Sequence, residues 1–274
     1  MTLVLFVAAC GGSNGSATPS ERPTPSVTGT TPFATPTGSV SGPPSAAAEA
    51  GLSYLMFGDS WPYGAHCNGC QPFPFLLDVA YAAITGLPID FQNDTTNGGT
   101  AQELAAMMRS DPAIRDHIGA ADIIVIAIGG NDLEPAFGSY KAGNCGGRDH
   151  LACFRTVAAT LRTAYDGMLA AIDSLRAGRP TAVRMVTTSN EFLSDHGLID
   201  TFGADFGKTS GVTITQMNRD VQCEVAVRHH AVCVDLGAAL NGPDLTTPND
   251  VNTQATMQQV ADAIAASGLG ELGL

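Results

Sequence analysis

The sequence predicts an α/β protein, a three-layer α/β/α sandwich around a five-stranded parallel sheet. Five short, β-rich apolar runs recur along the C-terminal four-fifths of the chain, and helical stretches separate them. The runs are continuously apolar rather than alternating, which is typical of strands that are buried on both faces of a parallel sheet. The repeated order of strand and helix then predicts helices on both sides of that sheet.

The predicted strands are residues 52–57, 87–91, 123–128, 182–187 and 231–235. The predicted helices are residues 73–85, 101–108, 154–175, 214–228 and 255–266. The loops that follow the strands are residues 58–69, 93–100, 129–153, 188–209 and 236–252. In open parallel sheets ligands bind beyond the carboxyl ends of the strands. We therefore expect any functional site to lie among these loops.

The first fifty residues predict an exported, tethered protein. Residues 3–9 form an apolar run too short to span a bilayer as a helix. The run ends at Cys10, in a pattern that resembles a bacterial lipobox and implies a lipid anchor on that cysteine. An ordinary signal peptide or a chance apolar start are the alternatives, since no Lys or Arg precedes Arg22; a true start upstream of Met1 would account for that. Residues 11–50 are rich in Ser, Thr, Pro and Gly and predict a disordered tether, which leaves residues 51–274 as one domain.

The cysteines fit export to an oxidising compartment. There are 7, and removing Cys10 leaves six in local pairs. The pairs are Cys67 with Cys70, Cys145 with Cys153, and Cys223 with Cys233. In an exported chain such pairs predict disulfides. The first pair could instead be a redox motif or half of a zinc site, but neither thioredoxin-like surroundings nor a second ligand pair is evident.

Composition limits the partners. The formal net charge is −13 and the isoelectric point is about 4.6, which argues against nucleic acid and against direct binding to an anionic membrane surface. We expect a monomer on the extracytoplasmic face of the cell membrane, attached only through a lipid at Cys10. The glycines of residues 58–60 and 129–131 lack the spacing of phosphate-binding loops. No metal, nucleotide or organic cofactor is predicted.

Small residues and one reactive or hydrogen-bonding side chain follow each of the first three strands. Gly58-Asp59-Ser60 follows the first, residues 93–100 follow the second, and Gly129-Gly130-Asn131-Asp132 follows the third. A serine at such a turn can expose its hydroxyl while the strand holds its backbone. Together the three segments resemble blocks I, II and III of the GDSL/SGNH hydrolase family.

The resemblance implies a flavodoxin-like strand order and the hydrolysis of a small-molecule, glycan or lipid ester. Ser60 would be the nucleophile. The oxyanion would be bound by the N–H of Ser60, the N–H of Gly98 and the side-chain amide of Asn131, with Gly99 a less favoured match than Gly98. Each such donor is typically worth about 10²–10³-fold in rate.

The fourth block departs from the family, which carries an Asp and, three residues later, a His before the last helix. Asp250 matches the Asp, but the His position falls on Thr253, or on Val251 or Asn252 if the alignment shifts. None of these side chains can act as a general base near pH 7. Three histidines on the predicted catalytic face could replace it: His66, His150 and His196. Three others precede strands, and we expect them at the opposite surface: His117, His229 and His230.

Two main hypotheses follow. The first is a cell-envelope serine esterase that cleaves an acyl or acetyl ester through Ser60. The second is a catalytically impaired relative that binds a lipid or glycan; a purely structural envelope protein is a third. Four aromatic residues near the serine could line a substrate pocket or simply pack the core: Trp61, Tyr63, Phe73 and Phe75.

Overall fold

The computed structural model describes residues 51–65, 67 and 69–274. The predicted anchor Cys10, the tether over residues 11–50 and the candidate base His66 lie outside the described residues. None of the described helices has the length and hydropathy needed to cross a membrane.

Five parallel strands form one sheet. They are β1 (Leu52–Gly58), β2 (Ile89–Thr95), β3 (Ile123–Ala127), β4 (Ala182–Val186) and β5 (Val232–Val234). Their spatial order is β2-β1-β3-β4-β5, which is the flavodoxin-like order that the resemblance implied. In this order the connections reverse direction between β1 and β3, and such a switch point opens a crevice at the carboxyl ends of the strands.

Helices flank the sheet on both faces. They are α1 (Ser60–Tyr63), α2 (Phe73–Thr85), α3 (Ala101–Ser110), α4 (Pro112–Ala120), α5 (Glu134–Lys141), α6 (Ala152–Arg176), α7 (His196–Phe202), α8 (Ser210–Arg228), α9 (Leu236–Asn241) and α10 (Gln254–Ala265). Helices α3, α4, α6 and α8 contribute to one core, and α2, α9 and α10 contribute to the other. The three-layer prediction is therefore confirmed.

The central strand β1 shows why the apolar run is continuous. Leu55 and Phe57 point into the first core, whereas Tyr54 and Met56 point into the second. All four side chains are at most 1% exposed. Burying a large apolar side chain contributes about 1.5–3 kcal/mol, so a polar substitution on either face of β1 would be strongly destabilising.

The edge strand departs from its predicted bounds. It was predicted at residues 87–91, but β2 begins at Ile89 and extends to Thr95. Successive side chains of a strand point to opposite faces, and Asp90 and Gln92 are exposed between half-buried neighbours, so the strand includes polar residues beyond its apolar run. The loop predicted at residues 93–100 consequently starts at Thr96.

The three predicted disulfides are present. They join Cys67 to Cys70, Cys145 to Cys153, and Cys223 to Cys233. The last links α8 to β5, and each closes a short loop. Loop closure of this length stabilises a fold by about 2–3 kcal/mol in the chain-entropy model.

Candidate active site

A cavity of about 360 Å³ opens at the carboxyl ends of the strands, beside the switch point. Loops after β1, β3 and β4 line it, together with α5, α8 and the segment before α10. The lining residues are Asp59, Ser60, Trp61, Gly130, Asn131, Leu133, Glu134, Phe137, Thr188, Ser189, Glu191, Phe192, Asp195, Gly197, Leu198, Ile214, Thr215, Asn218, Val251 and Asn252. Of the four predicted site residues, Ser60 and Asn131 therefore share one cavity.

Ser60 occupies the first position of α1, directly after the tight turn that ends β1. The turn requires glycine at position 58, because a Cβ there would overlap the carbonyl oxygen of Ala127 and the ring of Pro62. Asp59 caps α1 by accepting a hydrogen bond from the Trp61 N–H at 3.2 Å. Within the described part of the chain, neither the hydroxyl nor the N–H of Ser60 has a hydrogen-bond partner. Both groups are thus available to a ligand.

The loop after β3 is joined to the turn after β2. Asn131 Nδ2 donates to the carbonyl oxygen of Gly99 at 2.8 Å, and Asp132 Oδ2 accepts from the N–H of Ala101 at 2.9 Å. The N–H of Gly99 is itself occupied by the carbonyl of Thr96 at 3.0 Å. These bonds fix the orientation of the Asn131 amide.

Gly98 lies beside this network but does not line the cavity. Its φ is +78°, a left-handed conformation that favours glycine. Among the described residues no partner uses its N–H. Of the two adjacent glycines, Gly98 is therefore the one whose N–H has no partner among the described residues.

A second glycine is required after β3. Gly129 has φ +127°, and a Cβ there would collide with the hydroxyl of Tyr165. That buried hydroxyl donates to the carbonyl of Ile128 at 2.9 Å. The close approach sets the direction in which the chain leaves β3 and so places Asn131.

The segment before α10 approaches the serine turn. Trp61 Nε1 donates to the carbonyl of Val251 at 2.9 Å, and Val251 and Asn252 both line the cavity. Asp250 is exposed and is not among the lining residues; its Oδ1 accepts from the N–H of Asn252 at 3.0 Å. Thr253 caps α10. The structure therefore does not bring Asp250 together with Ser60 and Asn131.

No histidine among the described residues lines the cavity. His196 and His150 are exposed. His117 Nδ1 bonds Asp94 Oδ2 at 2.6 Å, and that aspartate lies near the carboxyl end of β2. His229 bonds Asp173 and Asp166, and His230 is exposed. None of the described histidines therefore shares the cavity with Ser60.

The charged lining of the cavity is entirely acidic among the described residues: Asp59, Glu134, Glu191 and Asp195. Burial raises the pKa of Asp59 to about 6, and the N–H groups of Trp61, Gly130 and Gly129 offset part of that rise. Burial also raises the pKa of Glu191 to about 7, helped by the negative charges of Asp59 and Asp195. Sequence reasoning did not select Glu191, because its position after β4 was the only available signal.

The cavity lining also includes the apolar residues Leu133, Phe137, Phe192, Leu198 and Ile214. Trp61 also lines the cavity and packs against Phe73, with ring centroids 5.4 Å apart. Phe73 belongs to the core, whereas Tyr63 and Phe75 are 54% and 40% exposed. Of the four aromatic residues near the serine, only Trp61 lines the cavity.

No protein-family model and no curated protein match the chain. Several solved structures are similar to it. A lipase from a goat rumen metagenome, Lip_vut3, aligns with a TM-score of 0.63 and 20% identity over 81% of this chain and 99% of its own. Phospholipase A1 from Streptomyces albidoflavus aligns at 0.54 with 16% identity over 80% and 100%. A protein from Parabacteroides merdae classed as a GDSL-like lipase aligns at 0.50 with 12% identity over 83% and 98%. The chain therefore has the three-layer fold of the GDSL/SGNH lipases and esterases, as its motifs implied.

Proposed function

We propose that the protein is an SGNH-type carboxylic ester hydrolase with Ser60 as its nucleophile. The observation that carries this proposal is the convergence of Ser60 and Asn131 on one cavity at the switch point of the sheet. A binding protein has no need of an unpaired serine hydroxyl beside a fixed amide donor. The lipase names of the structural neighbours support the same reaction class.

In the proposed reaction the Ser60 oxygen attacks the carbonyl carbon of the ester, and the carbonyl oxygen becomes an oxyanion. The N–H of Ser60 and the second hydrogen of Asn131 Nδ2, both from residues that line the cavity, stabilise that charge. The family resemblance adds the N–H of Gly98, which lies beside the cavity. One hydrogen of the Asn131 amide already binds Gly99, which orients the other before substrate arrives. Donors that are oriented in advance stabilise a developing charge without reorganisation at the moment of reaction.

The cavity favours a small ester that is neutral or cationic. Its volume of about 360 Å³ is near the lower end of ligand pockets, so a short acyl group fits better than a long chain. Four carboxyl side chains and no basic side chain line its described part. An anionic substrate would therefore be repelled.

The cellular setting is part of the proposal. Three disulfides support an oxidising compartment. Export with lipid attachment at Cys10 would hold the domain at the extracytoplasmic face of the cell membrane, and a tether over residues 11–50 would separate it from the lipid.

The second candidate function is ligand binding without turnover. It is favoured by Val251 and Asn252, which line the cavity where the family has its histidine, and by Asp250, which points elsewhere. Labelling with a fluorophosphonate probe separates the two, since only an activated serine reacts. We expect one probe per chain, attached to Ser60, and no labelling of Ser60→Ala. An unlabelled wild-type protein that still binds short-chain lipids or acetylated sugars would favour the binding function.

A further inference from the structure

The loop after β4 is held rigidly just before Glu191. Asn190 is fully buried. Its N–H donates to Asn241 Oδ1 at 2.7 Å, and its Nδ2 donates to the carbonyls of Gly207 and Leu245 at 2.8 and 2.7 Å. Three bonds to α9 and to two further loops thus fix the backbone from which the Glu191 side chain projects.

The turn that follows is equally well defined. Residues Glu191–Leu193 form a short 3₁₀ helix, and the carbonyl of Glu191 accepts from the N–H groups of Ser194 and Asp195 at 3.1 and 2.9 Å. The side chain of Glu191 lines the same cavity as Ser60 and Asn131. These bonds fix the backbone position of Glu191 at the cavity.

The Glu191 carboxyl is largely enclosed, yet no described residue donates a hydrogen bond or an ion pair to it. A carboxyl group in that position is costly when ionised, because burial removes water without supplying a partner. A titratable group kept at such a cost in a cleft is a candidate for function. The hydroxyl of Ser189, two residues earlier, lines the same cavity and has no hydrogen-bond partner among the described residues.

We propose that the Glu191 carboxylate is the general base that accepts the proton of Ser60, in place of the histidine that the family carries before its last helix. This inference rests on the proposed function, because it assigns the base for the same nucleophile. It requires that the proton pass from Ser60 to Glu191 directly or through one water.

The electrostatic surroundings suit this role. The charged residues that share the cavity with Glu191 are Asp59 after β1, Glu134 on α5 and Asp195 before α7, and the described lining includes no basic side chain. Burial first, and then the charges of Asp59 and Asp195, raise the pKa of Glu191 to about 7. A base is most effective when its pKa lies near the working pH, and this value is close to the ordinary value of histidine.

The other acids and bases fit less well. Asp59 is directed into the serine turn, where it caps α1 and receives backbone N–H groups. His196 is exposed and outside the cavity. Asp250 is occupied with the N–H of Asn252. Glu191 is thus the described cavity group with both access and a suitable proton affinity.

The step balances as follows. As the Ser60 oxygen bonds the ester carbon, its proton moves to Glu191 and the carbonyl electron pair moves to oxygen. Collapse of this intermediate breaks the bond to the leaving alcohol, which takes the proton from Glu191. Water then attacks the acyl-serine and gives a proton to Glu191. The second collapse releases the carboxylic acid and returns the proton to the Ser60 oxygen.

The test compares Glu191→Gln, Glu191→Ala and Glu191→Asp with the full-length wild-type protein, using p-nitrophenyl acetate between pH 5 and 9. We expect Glu191→Gln to lose about 10²–10⁴-fold in kcat/KM, the usual worth of a positioned base. The kcat/KM of the wild type should increase with pH around pH 7, as Glu191 ionises. The residual kcat/KM of Glu191→Gln should show no such increase, that is, no pH limb. Added formate should restore part of the Glu191→Ala activity, since it can enter the vacated space as an external base.

Two variants serve as controls. Glu224→Gln makes the same chemical change on the outer surface of α8, where the glutamate pairs with Arg162, and His196→Ala removes the exposed histidine. Both should remain within about twofold of the wild type. A purely structural role for Glu191 would not predict formate rescue or a lost pH limb.

Three results would overturn the inference. One is a Glu191→Gln variant within threefold of wild type while Ser60→Ala is inactive. Another is a rise in rate near pH 7 that persists in Glu191→Gln. A third is a His66→Ala variant that shows the loss in kcat/KM expected for Glu191→Gln, while Glu191→Gln does not. A Ser60→Ala variant as active as wild type would instead refute the proposed function itself, so the two failures are distinguishable.

Discussion

Replacing Glu191 by Gln should stabilise the protein at pH 8 and leave its stability near pH 4 almost unchanged. In the folded protein the pKa of Glu191 rises from 4.5 to about 7, through burial and the charges of Asp59 and Asp195. Between about pH 4.5 and pH 7 the folded protein holds a proton on Glu191 that the unfolded chain has released. The wild type therefore has its full free energy of unfolding below about pH 4.5 and loses part of it as the pH rises through 7. Gln keeps the shape of the side chain and cannot ionise.

The size of the effect follows from the shift. Each unit of pKa corresponds to 1.36 kcal/mol, so a rise of this size costs the ionised protein about 3 kcal/mol. The Glu191→Gln variant should recover most of that at pH 8. Its stability curve should consequently be flatter than that of the wild type between pH 5 and 8.

Urea unfolding at pH 5 and pH 8, followed by circular dichroism with the disulfides intact, measures this difference directly. The control Glu224→Gln should show no gain at pH 8, because Arg162 lowers the pKa of that exposed carboxyl. A Glu191→Gln variant that is equally or less stable than wild type at pH 8 would refute the claim that Glu191 is a largely enclosed, unpaired acid.

Three further predictions concern the cavity. Asn131→Ala should lower kcat by about 10²–10³-fold with little change in KM, measured by steady-state kinetics, because an oxyanion donor acts mainly in the transition state; an effect on KM alone would contradict that role. Trp61→Phe should lower the free energy of unfolding by about 1 kcal/mol, since it leaves the carbonyl of Val251 without its donor, and an unchanged urea midpoint would show that the bond contributes nothing. Acetylcholine should be hydrolysed faster than its uncharged isostere 3,3-dimethylbutyl acetate, and salt should reduce the difference; equal rates at low salt would show that the acidic lining does not select charge.

The central strands and the disulfides could be predicted from the sequence because each is indicated by a short stretch of residues. Continuous apolar runs marked the buried strands β1, β3 and β4, and the cysteine spacing marked all three disulfides. Ser60 and Asn131 follow strands that neighbour each other at the switch point, so their convergence on one cavity followed from the predicted topology. The helix α4 could also have been found, because Asp111 and Pro112 form a readable start, with Asp111 Oδ1 accepting from the N–H groups of Ala113 and Ile114.

Other features depend on tertiary contacts that no local pattern reports. The edge strand β2 is longer than its apolar run because pairing with β1 continues to Thr95. Glu191 looks like an ordinary loop acid in the sequence. The raised pKa of its carboxyl group comes from burial in the folded chain and from the charges of Asp59 and Asp195. Asp250 is predicted as a site residue because it matches the Asp of the family's fourth block. In the structure its carboxylate instead accepts from the N–H of Asn252, in the turn before α10.

The most direct test of the proposed serine hydrolase is the hydrolysis of short p-nitrophenyl esters by the wild-type protein and by Ser60→Ala. The two proteins should unfold at the same urea concentration, so that any difference in rate reports the hydroxyl alone. We predict turnover of the acetate and butyrate esters by the wild type and a loss of at least about 10³-fold in the variant. Equal rates in the two proteins, or no turnover in either, would contradict a serine hydrolase and favour a ligand-binding role for the cavity.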